Sequence, residues 1–235
     1  MLIFIDKRAP EPSRQNLRKF GEVVDFETQG ITYEAISGHP DIFICQSPGK
    51  LIVAPNLPEK YFSILKNRNI VFSIGKNPVG AKYPETAGYN AVVTEKYLVH
   101  QPAITDPGIL NPDFEKQIIP VKQAYTRCNL VFLNQNSAIT SDKGIEKQLK
   151  NNGISAFYVD PSPVELPGFK HGFFGGACGI IENQLFILGN LRFHYHGQQI
   201  RKFVNNAGID ISELFDGPLY DGGAILFLKN EHFVR

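Results

Sequence analysis

The stretch that decides the fold is DIFICQSPGKLIVA, residues 41–54. Two apolar runs rich in β-branched residues flank the turn Ser47-Pro-Gly-Lys50, a pattern typical of a β-hairpin. A helix-start signature follows at Asn56-Leu-Pro-Glu59, and an apolar face continues up to Asn69 before the strand-like run of residues 70–74. The sequence therefore predicts a hairpin, a helix and a third strand, in that order.

The same order of elements recurs along the chain at intervals of roughly 40 to 50 residues. A fifth unit is predicted to be split, with its first strand at residues 223–228 and the remainder at residues 2–26. Because such repeats bury their apolar faces only against neighbours, this split would join the chain ends and close a ring. We therefore expect residues 1–235 to form a single α/β domain, a pseudo-fivefold α/β propeller of ββαβ repeats with a split N-/C-terminal fifth repeat. The other three units are predicted over residues 89–121, 128–159 and 177–214.

The composition argues against several classes of protein. With 43% hydrophobic and 20% charged residues among 235, the chain resembles a globular protein and not a disordered one. A formal net charge of +1 provides no broad field for nucleic acid or an anionic membrane surface, so neither partner is expected. No apolar run approaches the roughly 18 residues of a membrane span and no signal peptide is visible, so we expect a cytoplasmic protein.

Polar motifs stand where the first strand of each predicted unit begins. The five motifs are His39-Pro-Asp41, Tyr89-Asn90, Cys128-Asn129, Gly175-Gly-Ala-Cys178 and Asp221-Gly-Gly223. A ring of ββαβ units with such motifs resembles the pentein, or guanidine-modifying, fold of arginine and agmatine deiminases, dimethylarginine hydrolases and amidinotransferases. The first motif is similar to the family's His-x-Asp strand, and the fourth is similar to its nucleophile loop, with one residue fewer between the glycines and the cysteine.

The resemblance implies an enzyme, either a hydrolase or an amidinotransferase, that modifies a guanidine or amidine group on an arginine-like small molecule without a cofactor. Attack on a guanidinium carbon needs a thiolate, carboxylates that hold the planar cation, and a histidine that moves protons. The catalytic candidates are Cys178, His39 and Asp41, and the substrate-binding candidates are Asp221, Asn90 and His171.

Each candidate also has a purely structural interpretation. Cys178 could be a small buried thiol packed behind a glycine turn, and Cys45 and Cys128 lie in apolar runs that favour core packing. The three cysteines are odd in number and widely spaced, which argues against a disulfide framework and a CxxC metal site. His194 and His196 have no third ligand at a suitable spacing, so no metal site is predicted.

The order of the motifs departs from the family that the chain resembles. In the enzymes the acidic unit is followed by the histidine unit and then directly by the cysteine unit. Here Tyr89 and Asn90 stand where the cysteine is expected, and Cys178 comes two units later. The alternative is therefore a non-catalytic pentein-fold module used for binding or assembly, and the sequence specifies neither the substrate nor the oligomeric state.

Overall fold

A computed structural model describes residues 1–110 and 116–229 as a mixed α/β fold with several small sheets. In chain order the strands are β1 (Leu2–Asp6), β2 (Glu22–Phe26), β3 (Ile44–Ser47), β4 (Lys50–Val53), β5 (Phe72–Ile74), β6 (Val92–Val93), β7 (Tyr97–His100), β8 (Gln117–Pro120), β9 (Leu130–Asn134), β10 (Ser137–Thr140), β11 (Ser155–Tyr158), β12 (Val164–Glu165), β13 (Cys178–Ile181), β14 (Gln184–Ile187), β15 (Asp210–Glu213), β16 (Leu219–Tyr220) and β17 (Leu226–Leu228). The helices are α1 (Glu11–Leu17), α2 (Glu59–Asn67), α3 (Thr126–Asn129), α4 (Lys143–Asn151) and α5 (Gly197–Asn206).

Five three-stranded sheets within the described residues share one connectivity. In each sheet an antiparallel pair of strands is extended by a third strand that runs parallel to the second. The sheets are β17-β1-β2, β3-β4-β5, β6-β7-β8, β9-β10-β11 and β13-β14-β15, and a two-stranded sheet pairs β12 with β16.

The chain ends share one sheet, as the split unit predicts. β17 pairs antiparallel with β1, with Leu2 opposite Leu228 and Phe4 opposite Leu226, and β1 then pairs in parallel with β2. The order of hairpin, helix and strand is confirmed in four of the five units, and in the unit of residues 89–121 no helix lies between β7 and β8 among the described residues. The closure of the sheets into a fivefold ring stays a prediction.

α4 begins where a local signal places it, whereas Asn56 does not cap α2. That helix begins at Glu59, and the Asn56 side chain instead forms two hydrogen bonds with the backbone of Val79. The Asp142 side chain accepts a hydrogen bond from the Ile145 amide at 2.8 Å and so caps α4, whose buried residues Ile145 and Leu149 lie one turn apart. The unit predicted over residues 89–121 requires a helix before its last strand. Residues 111–115 lie outside the described part of the chain, and Gln117 begins β8 instead of ending a helix, because it pairs with Tyr97.

Apolar side chains from the sheets and helices pack into buried clusters. In one of them the rings of Phe26 and Tyr61 stack with their centroids 4.5 Å apart, which fastens α2 to the terminal sheet. Among residues 1–110 and 116–229, no helix combines the length and the apolar character that crossing a membrane requires.

Three of the polar motifs lie in short helical turns and not in the strands themselves. Pro40–Ile42 and Gly175–Ala177 form 3₁₀ turns, and Cys128 belongs to α3. The expectation that a strand begins at Asp41 or Cys128 is wrong by two to three residues, because β3 starts at Ile44 and β9 at Leu130. The turns hold the polar side chains at the beginnings of the strands.

Candidate active site

Three buried side chains with complementary chemistry meet at these turns. One ring nitrogen of His39, one carboxylate oxygen of Asp41 and Sγ of Cys128 lie within 4.8 Å of one another. The thiol of Cys128 donates a hydrogen bond to Oδ2 of Asp41 at 3.0 Å. A nucleophile, a carboxylate and an imidazole are thus within reach of one small ligand.

Asn90 joins two of the motifs to each other. Its Oδ1 accepts a hydrogen bond from the Cys128 amide at 3.1 Å, and its Nδ2 donates to the Asp41 carbonyl at 3.3 Å and lies 3.4 Å from the Cys128 sulfur. These contacts cross between units that are far apart in sequence, so Asn90 fixes the thiol relative to the carboxylate.

Three buried carboxylates, those of Asp6, Asp41 and Asp221, lie near His39. Nε2 of His39 lies 3.9 Å from Oδ2 of Asp6, and Nδ1 lies 4.0 Å from Oδ1 of Asp221. Within residues 1–110 and 116–229, neither ring nitrogen has a hydrogen-bond partner, and Oδ1 of Asp41 also has none. Buried polar atoms are usually paired, so this cluster has unmet capacity to bind the N–H groups of a ligand.

One of the three carboxylates is neutralised by a cation. The Arg8 guanidinium binds Asp6 with two nitrogens, Nε to Oδ1 at 3.0 Å and Nη2 to Oδ2 at 2.7 Å. Arg8 also donates to the carbonyls of Glu34 and Ala35. Asp41 has no salt bridge among the described residues, and Asp221 has only the ring of His39 as a possible cationic partner. The site is therefore complementary to a planar cation.

Burial shifts the pKa values of two groups in the cluster. It raises the pKa of Asp221 to about 6, with Asp41 acting in the same direction, although His39 and the amides of Gly223 and Phe173 oppose the shift. Burial also raises the pKa of Cys128 well above its usual value, and the charges of Asp41 and Asp221 add to this effect. The resting thiol is consequently protonated, and a bound cation would favour its thiolate.

Two glycines make the close packing of the cluster possible. A Cβ at Gly176 would lie 1.9 Å from Oδ1 of Asp221, and a Cβ at Gly223 would lie 2.2 Å from Cβ of His39. Gly223 also has φ of +64°, a conformation that other residues rarely adopt. The lack of a side chain at Gly176 and Gly223 therefore leaves room for Asp221 and His39.

A cavity of about 240 Å³ connects this cluster to the surface region around Phe169. Its buried end includes His39, Cys128 and Asp221, and its lining also contains Lys170 and His171. The remaining lining residues are apolar or aromatic: Tyr33, Ile36, Tyr125, Leu166, Phe169 and Phe173. The Cys128 thiol thus has a route by which a small molecule can reach it.

The structure brings together most of the residues expected from the sequence. His39, Asp41, Asn90 and Asp221 meet as described, and His171 lines the cavity while its Nδ1 contacts the Gly172 carbonyl at 2.9 Å. Their catalytic and substrate-binding roles stay predictions.

Cys178, the expected nucleophile, lies elsewhere. It is fully buried at the start of β13, it is not among the residues that line the cavity, and its carbonyl accepts a hydrogen bond from Nη2 of Arg127 at 3.1 Å. Burial raises its pKa, as it does for Cys45, whose pKa rises to about 12. The identity of the reactive cysteine stays a prediction.

Sequence reasoning missed the position of Cys128. It is buried, as expected for a core residue, yet its sulfur contacts the polar groups of Asp41 and Asn90. A signal was present, because Cys128 stands at the same place in its unit as the other polar motifs. Asp6 was also missed, since in the sequence it only interrupts an apolar run.

The same cluster has donor types that a metal ion could use. His nitrogen, carboxylate oxygen and thiolate sulfur are all ligands of zinc, and the trio of His39, Asp41 and Cys128 is the group with suitable spacing among the described residues. A test of activity must therefore include a metal chelator.

The fold is similar to those of solved guanidine-modifying enzymes. A mutant dimethylarginine dimethylaminohydrolase from Pseudomonas aeruginosa in complex with citrulline is 10% identical, with a TM-score of 0.51 over 88% of this chain and 80% of that chain. Agmatine deiminase from C. jejuni is 13% identical, with a TM-score of 0.52 over 86% of this chain and 73% of that chain.

A second dimethylarginine dimethylaminohydrolase, an adduct with 4-chloro-2-hydroxymethylpyridine, is 11% identical, with a TM-score of 0.52 over 90% of this chain and 91% of that chain. At such identities the likeness establishes the fold alone. These neighbours are members of the pentein superfamily, so the expected resemblance is confirmed at the level of fold.

Comparison of the sequence with protein families and with curated proteins gives one match. A model for a family of unknown function, DUF6873, matches residues 4–226, which is most of the chain. No protein with a curated function matches the sequence significantly.

Proposed function

We propose that this chain, which belongs to the DUF6873 family, is a guanidine-modifying hydrolase that acts on a small molecule with a guanidine or amidine group. The observation that carries the proposal is the cluster of Cys128, His39 and Asp41, of which Cys128 and His39 line the buried end of a cavity. Its fold neighbours include an agmatine deiminase and a dimethylarginine dimethylaminohydrolase, which is consistent with this class of substrate.

The carboxylates account for recognition of the substrate. Asp41 and Asp221 are buried without an arginine or lysine partner among the described residues, so a guanidinium placed between them would satisfy their charges and donate paired hydrogen bonds. The same positive charge would stabilise the thiolate of Cys128, because it offsets the two carboxylates that raise the pKa of the thiol. Substrate binding and activation of the nucleophile are thereby coupled.

The reaction then proceeds in two balanced steps. The Cys128 thiol gives its proton to His39 while its sulfur bonds to the guanidinium carbon, and one nitrogen takes that proton from His39 and leaves as an amine or ammonia. Water then attacks the same carbon and the carbon–sulfur bond breaks. One proton of the water returns through His39 to the sulfur, the other goes to the released amine or to solvent, and a ureido product and the free thiol form. If an amine replaces water as the second nucleophile, the enzyme is an amidinotransferase.

Cys128 is proposed as the nucleophile in preference to Cys178. The sulfur of Cys128 has a carboxylate at 3.0 Å and an imidazole within the same cluster, whereas Cys178 is not among the cavity-lining residues. Asp221 and His171 keep their proposed contacts with substrate, and Asn90 is proposed to position the thiol in addition to contacting the substrate.

A closed ring would account for the convergence of motifs from all five units. We propose that the sheets form a single fivefold domain over residues 1–235, with the cluster at one end of its axis. In support, the first strands of neighbouring sheets contact each other, β3 with β6, β9 with β13 and β13 with β17. Nε2 of Gln46 also donates to the Phe227 carbonyl at 3.0 Å and links β3 to β17.

A binding or assembly module is the second candidate. The observation that favours it is the raised pKa of Cys128, which keeps the thiol protonated in the absence of a cation. In that case the carboxylates would still bind a guanidinium, but no bond to it would form or break.

The test is turnover of a panel of small guanidines and amidines, with ureido product and released ammonia or amine both measured in the presence of a metal chelator. We expect product with the wild-type protein and with Cys178→Ser, and none with Cys128→Ser. Binding without product for every compound would favour the binding module. Turnover that survives Cys128→Ser and disappears in Cys178→Ser would show that the wrong cysteine has been assigned.

A further inference from the structure

The wall of the cavity is mostly aromatic and apolar, whereas its buried end contains His39, Cys128 and Asp221. Aromatic rings from separate loops converge in the wall, with the ring centroids of Tyr33 and Phe169 5.9 Å apart and the hydroxyl of Tyr33 hydrogen-bonded to that of Tyr125 at 3.1 Å. Phe169 is 55% exposed even though it is a large apolar side chain. Exposed rings beside a concave site are the usual means of holding an apolar ligand.

The charges that line the cavity are few and unevenly placed. Asp221 lies at the buried end, and Lys170 is the only lysine or arginine among the described residues that line the cavity. The described part of the wall around Phe169 has no carboxylate, so the ammonium of an amino acid or a diamine would find no anionic partner there and would lie near the positive charge of Lys170. A ligand carboxylate could pair with Lys170, but this lysine is exposed, so such an ion pair adds little to affinity.

The size of the cavity limits the ligand as well. A volume of about 240 Å³ equals roughly eight water molecules at about 30 Å³ each. A guanidinium group with one aromatic ring or a short branched alkyl chain fits this volume, and so do arginine and agmatine, so the volume sets an upper limit on ligand size and does not choose among them.

From the aromatic wall and from the lack of a carboxylate in it, we propose that the ligand carries an apolar, uncharged tail, an aryl or branched alkyl group, on its guanidine or amidine. This inference rests on the proposed function, since the guanidinium head would occupy the cluster around Cys128. The tail lies against Tyr33 and Phe169 and distinguishes the substrate class from amino acids such as arginine and diamine derivatives such as agmatine.

The test compares four ligands that share one head group. Affinities of benzylguanidine, methylguanidine, agmatine and arginine are measured by titration calorimetry with Cys128→Ser, so that turnover does not interfere. We expect benzylguanidine to bind at least about tenfold more tightly than the other three, because only its tail buries apolar surface without bringing a charge.

Two variants test whether the apolar tail of the ligand contacts Phe169. Phe169→Ala is expected to weaken benzylguanidine by about threefold to tenfold and to leave methylguanidine unchanged. Ile74→Ala, at an equally exposed position on β5 outside the cavity, is the matched control and should change neither affinity. Because Phe169 is largely exposed, its replacement should leave the thermal unfolding midpoint nearly unchanged.

The outcomes separate this inference from the proposed function. If arginine or agmatine binds more tightly than benzylguanidine, the apolar tail is wrong while the guanidine site stands. A loss of arginine affinity in Lys170→Gln would identify an ion pair as the reason. If none of the four ligands binds, both the proposed function and this inference are wrong. An unchanged benzylguanidine affinity in Phe169→Ala also contradicts the inference.

Discussion

Replacing Asp41 with asparagine removes one negative charge beside the Cys128 thiol and leaves the shape of the side chain almost unchanged. The carboxylate oxygen lies 3.0 Å from the sulfur. Two unit charges at that distance repel each other by about 5 kcal/mol at an effective dielectric constant of about 20. The Asp41 charge therefore suppresses the thiolate, and Asp41→Asn should release that suppression.

Even a quarter of this repulsion energy, about 1.4 kcal/mol, corresponds to a shift of one unit in the pKa of the thiol. Such a shift raises the thiolate population about tenfold at a fixed pH. Because the thiolate is the reactive form, alkylation of Cys128 by a small electrophile should accelerate by at least that factor. Turnover of guanidines should fall in the same variant, since Asp41 is also proposed to bind the cation.

The assay follows labelling by iodoacetamide at pH 8 and locates the label by peptide mass spectrometry. Asp25→Asn is the control, because the Asp25 carboxylate lies on β2 and pairs with Arg14 at 3.0 Å. It should leave the labelling rate unchanged. If Asp41→Asn labels Cys128 no faster than the wild type, the electrostatic account of the thiol is wrong.

Three further predictions concern the same cluster. Since burial raises the pKa of Asp221 to about 6, calorimetric affinity for a guanidinium ligand should fall below that pH, by up to tenfold per unit, and Asp221→Asn should bind weakly at every pH. Asn90→Ala loses two interior hydrogen bonds and should lower the free energy of unfolding in urea by about 1–3 kcal/mol together with kcat; unchanged stability would contradict its linking role. Gly223→Ala, whose Cβ would meet His39, should cost more in the same urea assay than Gly208→Ala, which has φ of +75° and open space; equal costs would show that close packing is not the constraint.

Much of the fold follows from local sequence signals. The Pro-Gly turn of residues 47–50 and the helix-start signature before α2 depend on neighbouring residues alone, so the repeating unit could be found without structural information. The split terminal unit followed from counting strands. Boundaries were less accurate, because the turn at Pro40–Ile42 moves the start of β3 to Ile44.

The site was harder to predict because its contacts are long-range. Asp41 and Cys128 are 87 residues apart in sequence, and no local pattern encodes their hydrogen bond. The glycines before Cys178 favoured that thiol in the sequence, whereas in the structure Gly176 makes room for the Asp221 carboxylate. A carboxylate that becomes buried beside another strand, as Asp6 does, also leaves no trace in sequence.

The central claim is that Cys128 forms a covalent bond to the guanidinium carbon of its substrate. Acid quenching during turnover, followed by peptide mass spectrometry, tests it most directly. We predict an amidino adduct on the peptide that contains Cys128 in the wild type and in Cys178→Ser, and no adduct in Cys128→Ser. An adduct on the peptide that contains Cys178, or undiminished turnover in Cys128→Ser, would contradict the account.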